Sequence, residues 1–125
     1  MGKVMVFGTF DGLHKGHLNY FKQAREHGDY LIAVVARDNT VKEVKDKFPK
    51  YDEKKRLSEV KKYTDKAVLG YAGDKYKVIK EYGPNFVCLG YDQKDFVEGL
   101  KKFDIEVKRM KAYKPEKYKS SKLKI

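Results

Sequence analysis

The sequence predicts an α/β fold: a single Rossmann-like domain, with a parallel five-stranded sheet and helices on both faces. Three observations predict it. Short apolar runs of strand length alternate with amphipathic helical segments along the chain. Parallel strands need crossovers and helices supply them, so this order means an α/β sheet. The chain has 125 residues, 41% of them apolar or aromatic, enough for one core and one domain. Right-handed crossovers then leave few topologies, of which a doubly wound sheet is the simplest.

The elements follow in order. Lys3 to Phe7 is a short apolar strand ending at Gly8. His14 to His27 places Leu18, Phe21 and Ala24 at helical spacing, and Gly28 is expected to stop that helix. Tyr30 to Ala36 is continuous and β-branched, the pattern of a strand covered on both faces. Arg37 to Lys47 reads as a loop at the sheet edge. Asp52 to Tyr63 is a charged amphipathic helix with Leu57 and Val60 inward. Lys66 to Gly70 is a third strand, and Asp74 to Tyr82 a helix that stops before Gly83-Pro84. Phe86 to Leu89 is a fourth strand, Phe96 to Phe103 a helix, and Ile105 to Arg109 a fifth strand. The domain is expected to span 1–125, with a basic tail over 110–125 closing the site.

Composition narrows the function. Lys+Arg is 29 and Asp+Glu 18, a net charge of +11 that favours anionic partners. No run of eighteen apolar residues is present, and the N-terminus lacks an apolar stretch of signal-peptide length. The expectation is a cytoplasmic protein with no membrane partner. One cysteine, Cys88, allows no intramolecular disulfide and no cysteine-based zinc site, and it reads as a small buried hydrophobe.

Chemistry concentrates in the first loop, Gly8 to His17 (GTFDGLHKGH). Doubly wound sheets bind ligands beyond the carboxyl ends of their strands. His14 and His17 sit three apart, on one face of a helix start, with Gly16 between them offering an N–H beside no side chain. A helix N-terminus with two imidazoles is a phosphate site, and imidazole N–H groups can donate as charge builds during transfer. Helix-start histidines contribute little packing, so their loss should cost little stability. His14, His17 and Asp11 could also hold a divalent ion, but a helix N-terminus repels cations, and no residue is assigned as a metal ligand.

This segment resembles the GTFD and HxGH signature of the cytidylyltransferase-like nucleotidyltransferases. The resemblance implies transfer of a nucleoside monophosphate from an NTP to a phosphorylated acceptor, with pyrophosphate released. It gives His14 and His17 contacts to the triphosphate. Lys15 stands between the histidines, where a neutral residue is expected. VARDNTV (Val35–Val41), LGYDQ (Leu89–Gln93) and PEKYKSSKL (Pro115–Leu123) look like the corresponding segments of archaeal-type FAD synthases, which transfer AMP from ATP to FMN. The RTEGIST-like stretch of glycerol-3-phosphate cytidylyltransferases is replaced here by KAYKPEKYKSSK.

The resemblance implies further roles. Asp92 would contact the nucleoside, and Lys45 and Lys47, with Lys42 as the other candidate, would hold the pyrophosphate. Thr9 and Phe10 would place the α-phosphate and nucleotide, beside Lys15 and Gly16. Lys101 to Ile125 holds ten basic and three acidic residues, a local charge of +7. There Tyr118, Ser120 and Ser121 would bind phosphate or nucleotide. Tyr91, Phe96, Tyr113 and Tyr118 are candidates for a shelf under a flavin ring. Magnesium would accompany the NTP. A phosphate monoester is already ionised at neutral pH, so no side-chain nucleophile is required, and catalysis is positioning plus charge stabilisation. The alternatives are a cytidylyltransferase making CDP-glycerol from CTP and glycerol 3-phosphate, and a non-enzymatic basic nucleic-acid-binding module. No recognised nucleic-acid motif supports the latter, so no nucleic acid is expected. Small members of the family are often homodimers, and no sequence feature locates an interface.

Overall fold

A computed structural model describes residues 2–71, 76–89 and 105–109. In chain order they form β1 (Lys3–Gly8), α1 (Lys15–Arg25), β2 (Tyr30–Val35), α2 (Asp38–Lys45), α3 (Glu53–Lys61), β3 (Lys66–Leu69), α4 (Lys77–Tyr82), β4 (Phe86–Leu89) and β5 (Glu106–Arg109). The five strands make one sheet in the order β3-β2-β1-β4-β5, and every pairing is parallel. The order reverses between β1 and β4, which places the crevice of a doubly wound sheet beyond their carboxyl ends.

Both faces of the sheet are covered, because strand residues alternate between them. Val4 and Val6 of β1 pack with Leu31, Ala33 and Val35 of β2 beneath Phe21 and Ala24 of α1 and Val60 of α3. Met5 and Phe7 point the other way, with Ile32, Val34, Val87 and Leu89, against Val78 and Ile79 of α4. The apolar continuity of β1 and β2 is thus the mark of strands buried on both sides. Cys88 is fully buried on the first of these faces, as its strand context predicts.

Two readings of the sequence are corrected. Gly28 does not stop α1, which ends at Arg25 with Glu26 as a right-handed cap. A Cβ at Gly28 would lie 2.5 Å from the Gly2 carbonyl oxygen and from Val4, so close approach of the chain to β1 requires the glycine. The segment after β2 is not a loop but α2. Asp38 in its first turn and Lys42 and Lys45 in its last complement the helix dipole, and Asp46 closes it in the left-handed conformation. It escapes a periodicity reading because it buries Val41 and little else. The expected helix over Phe96–Phe103 lies outside the described residues.

Candidate active site

β1 ends at Gly8, and the chain turns sharply into α1. Phe10 takes a positive φ of 54° and folds its ring back into the core, where it is 3% exposed. A Cβ on Gly8 would meet that ring at 2.8 Å, so the turn depends on the glycine. The Phe10 ring stands edge-on to His17, centroids 5.5 Å apart, and packs on Phe21 at 5.3 Å. Its side chain is therefore part of the core that supports His17. The buried Tyr20 hydroxyl donates to the Cys88 carbonyl, tying α1 to the β1–β4 crevice.

The histidines cap the helix for each other. His14 is the N-cap, and its Nδ1 accepts from the Gly16 N–H at 3.0 Å. The Nδ1 of His17 accepts from the His14 N–H at 3.3 Å. This is a capping box built from imidazoles. The Gly16 N–H that the sequence leaves for a phosphate is thus already engaged. The rings stack with centroids 4.0 Å apart and planes 23° from parallel. With both Nδ1 atoms accepting, each neutral ring carries its proton on Nε2. Burial lowers the His14 pKa. Burial first, then the charges of His14 and Lys45, pushes His17 down to about 4. At neutral pH the pair is uncharged, and Nε2–H is a donor rather than a cation.

Asp11 and Arg56 hold the surroundings. The Asp11 carboxylate accepts from the Lys50 N–H at 2.7 Å and the Tyr51 N–H at 2.8 Å, stapling the segment after α2 to the first loop. Arg56 is 1% exposed. Its guanidinium donates to the carbonyls of Thr9 (2.8 Å), Ala36 (2.7 Å) and Tyr51 (2.9 Å) and to Asp38 at 2.7 Å. One side chain thereby ties the loops after β1 and β2 to the start of α2. Glu53 adds to this frame by accepting from the Asp38 N–H at 2.9 Å and pairing with Arg37 at 3.3 Å.

Among the predicted residues, His14 and His17 stack on each other at the start of α1, Thr9 directly follows β1 with its carbonyl held by Arg56, and Lys45 lies close enough for its charge to act on His17. Lys42 turns aside and donates to the Asp46 carbonyl at 3.2 Å. Lys15 and Lys47 are exposed. Asp92, Tyr118, Ser120 and Ser121 lie outside the described residues, as do Tyr91, Phe96 and Tyr113. Sequence reasoning missed Arg56. It sits four residues before Val60, on the buried face of α3, and a charge at that position was the available signal. A shallow concavity of about 550 Å³ lies at the opposite edge of the sheet, lined by Lys3, Asp29, Tyr30, Lys66, Tyr82 and Asn85. It is remote from the imidazoles and from the carboxyl ends where such sheets bind ligands.

The cytidylyltransferase-like family matches residues 5–124. The chain belongs to that family. This cytidylyltransferase-like chain is 42% identical over 120 residues to an FAD synthase of Aciduliprofundum boonei, covering 90% of this chain and 80% of the relative. It is 45% identical over 96 residues to an FAD synthase of Thermoplasma volcanium, covering 75% and 67%. A crystal structure described as the lipopolysaccharide core biosynthesis protein of Thermoplasma volcanium superposes with a TM-score of 0.82 at 39% identity, over 89% of this chain and 97% of that one. Pantothenate synthetase from Thermus thermophilus, at 16% identity and a TM-score of 0.61 over 88% of this chain and 55% of that one, shares the fold.

Proposed function

We propose that this cytidylyltransferase-like chain transfers AMP from ATP to FMN, giving FAD and pyrophosphate. The observation that carries the reading is the 42% identity to an FAD synthase over nine-tenths of this chain. An oxygen of the FMN phosphate attacks the α-phosphorus in line. The new P–O bond forms as the bond to the bridging oxygen breaks, and pyrophosphate leaves.

The neutral imidazoles of His14 and His17 suit this step. Nε2–H groups held by helix caps need no reorganisation as charge develops on the transferring phosphoryl group. Lys45, with Lys47, is assigned to the pyrophosphate. Thr9 and the Phe10 backbone are assigned to the α-phosphate. Asp92, Tyr118, Ser120 and Ser121 are assigned to the nucleotide. Among the described residues no cluster of three metal-ligating side chains exists. Asp11 is spent on two amides. A divalent ion, magnesium in this reading, is assigned to the triphosphate as part of the substrate. No described helix is long and apolar enough to cross a membrane, and the reaction is assigned to the cytoplasm.

A pyrophosphate-release screen of four NTPs against FMN and glycerol 3-phosphate, with the product identified chromatographically, tests the proposal. ATP with FMN should yield FAD and pyrophosphate, with CTP a poorer donor. CTP with glycerol 3-phosphate accepted, and FMN ignored, would move the chain to the CDP-glycerol branch. No release from any NTP, together with salt-steep binding to random RNA, would make it a nucleic-acid module.

A further inference from the structure

The segment from Lys42 to Tyr51 carries four lysines, yet it exposes its apolar side chains. Phe48 is 59% exposed, Val44 55% and Tyr51 37%. These rings leave much of their apolar surface open to solvent, where a planar ligand could cover it. Position ties them to the active site. Asp11 binds the amides of Lys50 and Tyr51. The Tyr51 ring lies 3.5 Å from where a Cβ would stand on Gly12, two residues before His14. Lys42 Nζ sits 5.9 Å from the Phe48 ring centroid, and Lys50 Nζ 5.5 Å from that of Tyr51. The segment stapled to the first loop thus presents an edge of ammonium groups and exposed rings, and the charge of Lys45 from the same segment reaches His17. The complement of such an edge is a molecule that is anionic at one end and flat and aromatic at the other.

We propose that Phe48, with Tyr51 beside it, is the shelf on which the isoalloxazine ring of the acceptor stacks, and that this shelf makes the enzyme choose FMN over a small phosphate acceptor. The inference rests on the FMN reading above. It assigns to α2 and the turn after it a specificity role that the sequence directed to Tyr91, Phe96, Tyr113 and Tyr118. A phosphate acceptor without a ring has no use for Phe48, whereas a planar ring gains a stacking surface.

The test compares wild type, Phe48→Ala and Phe48→Trp as full chains, with magnesium and ATP. Phe48→Ala should raise the KM for FMN about 10- to 100-fold, the range expected for one lost stacking contact. The KM for ATP should stay where it is. Phe48→Trp should keep the wild-type KM for FMN. Equilibrium dialysis of FMN without ATP should show the same loss of affinity in Phe48→Ala, and the melting temperature should not move. If wild type makes FAD and Phe48→Ala shows an unchanged KM for FMN, the shelf is refuted and the FAD reading stands. If wild type makes no FAD, the reading of function fails and the shelf fails with it. A drop in mass by ultracentrifugation in Phe48→Ala, with FMN kinetics intact, would reassign the patch to contact between copies of the chain.

Discussion

His14 and His17 each carry two duties, and substitutions can separate them. Each imidazole caps α1 through Nδ1, and in the proposed reaction its Nε2–H is the donor to the transferring phosphoryl group. Asparagine is a strong N-cap, and glutamine at the third helical position closes a capping box. His14→Asn and His17→Gln should therefore keep the helix start and lose about 10²–10³ in turnover, the usual loss for one donor to developing charge. The alanine variants should lose turnover similarly and also about 0.5–2 kcal/mol of stability, because the cap goes too. This corrects the expectation that helix-start histidines matter little to stability. Steady-state kinetics beside urea denaturation would check it, and wild-type turnover in the capped variants would remove the imidazoles from the mechanism.

At the scale of elements, the site is an arrangement of loop ends held by two side chains. Replacing Arg56 by methionine keeps volume but strands three carbonyls and Asp38. The Asp38 side chain is 29% exposed and keeps some solvent when Arg56 is lost, so the cost falls largely on the unpaired carbonyls, about 1–3 kcal/mol for each that stays buried. Arg56→Met should show a loss of that order in urea denaturation, and Arg56→Lys should rescue little, because an ammonium cannot span the fork of acceptors. Asp11 acts more locally. Asp11→Ala releases the amides of Lys50 and Tyr51 and so the segment bearing Phe48. Its KM for FMN should rise as in Phe48→Ala, while far-UV circular dichroism stays native. An unchanged KM for FMN would show that the staple does not position the acceptor.

At the scale of the whole molecule, the lowered His17 pKa becomes a pH dependence of folding. The native value is about 4, and an unperturbed histidine titrates near 6.5. Between those values the unfolded chain binds the proton and the folded chain does not. The stabilising contribution is thus complete above about pH 6.5 and is lost as pH falls through 4, with a slope of at most about 1.4 kcal/mol per pH unit. Wild type should lose stability relative to His17→Gln across that window in denaturation at successive pH values. Parallel curves would mean that His17 is not held neutral.

What the sequence by itself determined is the part written in local pattern. The double burial of β1 and β2 is visible in unbroken apolar runs, and the helix start at His14 in GTFDGLHKGH. The parallel order follows from strands alternating with helices. The tertiary structure decided what depends on residues far apart in the chain. Arg56 is a site-framing residue only because Thr9, Ala36 and Asp38 converge on it from other elements. Asp11 is a staple only because Lys50 and Tyr51 return to it some 40 residues later. The Phe10 ring belongs to the core, and the Gly16 amide to His14, because a positive φ and a capping geometry place them there. Periodicity reports which face of a segment is buried. Hydrogen bonds between loop ends have no period, so the frame of the site became legible only in three dimensions.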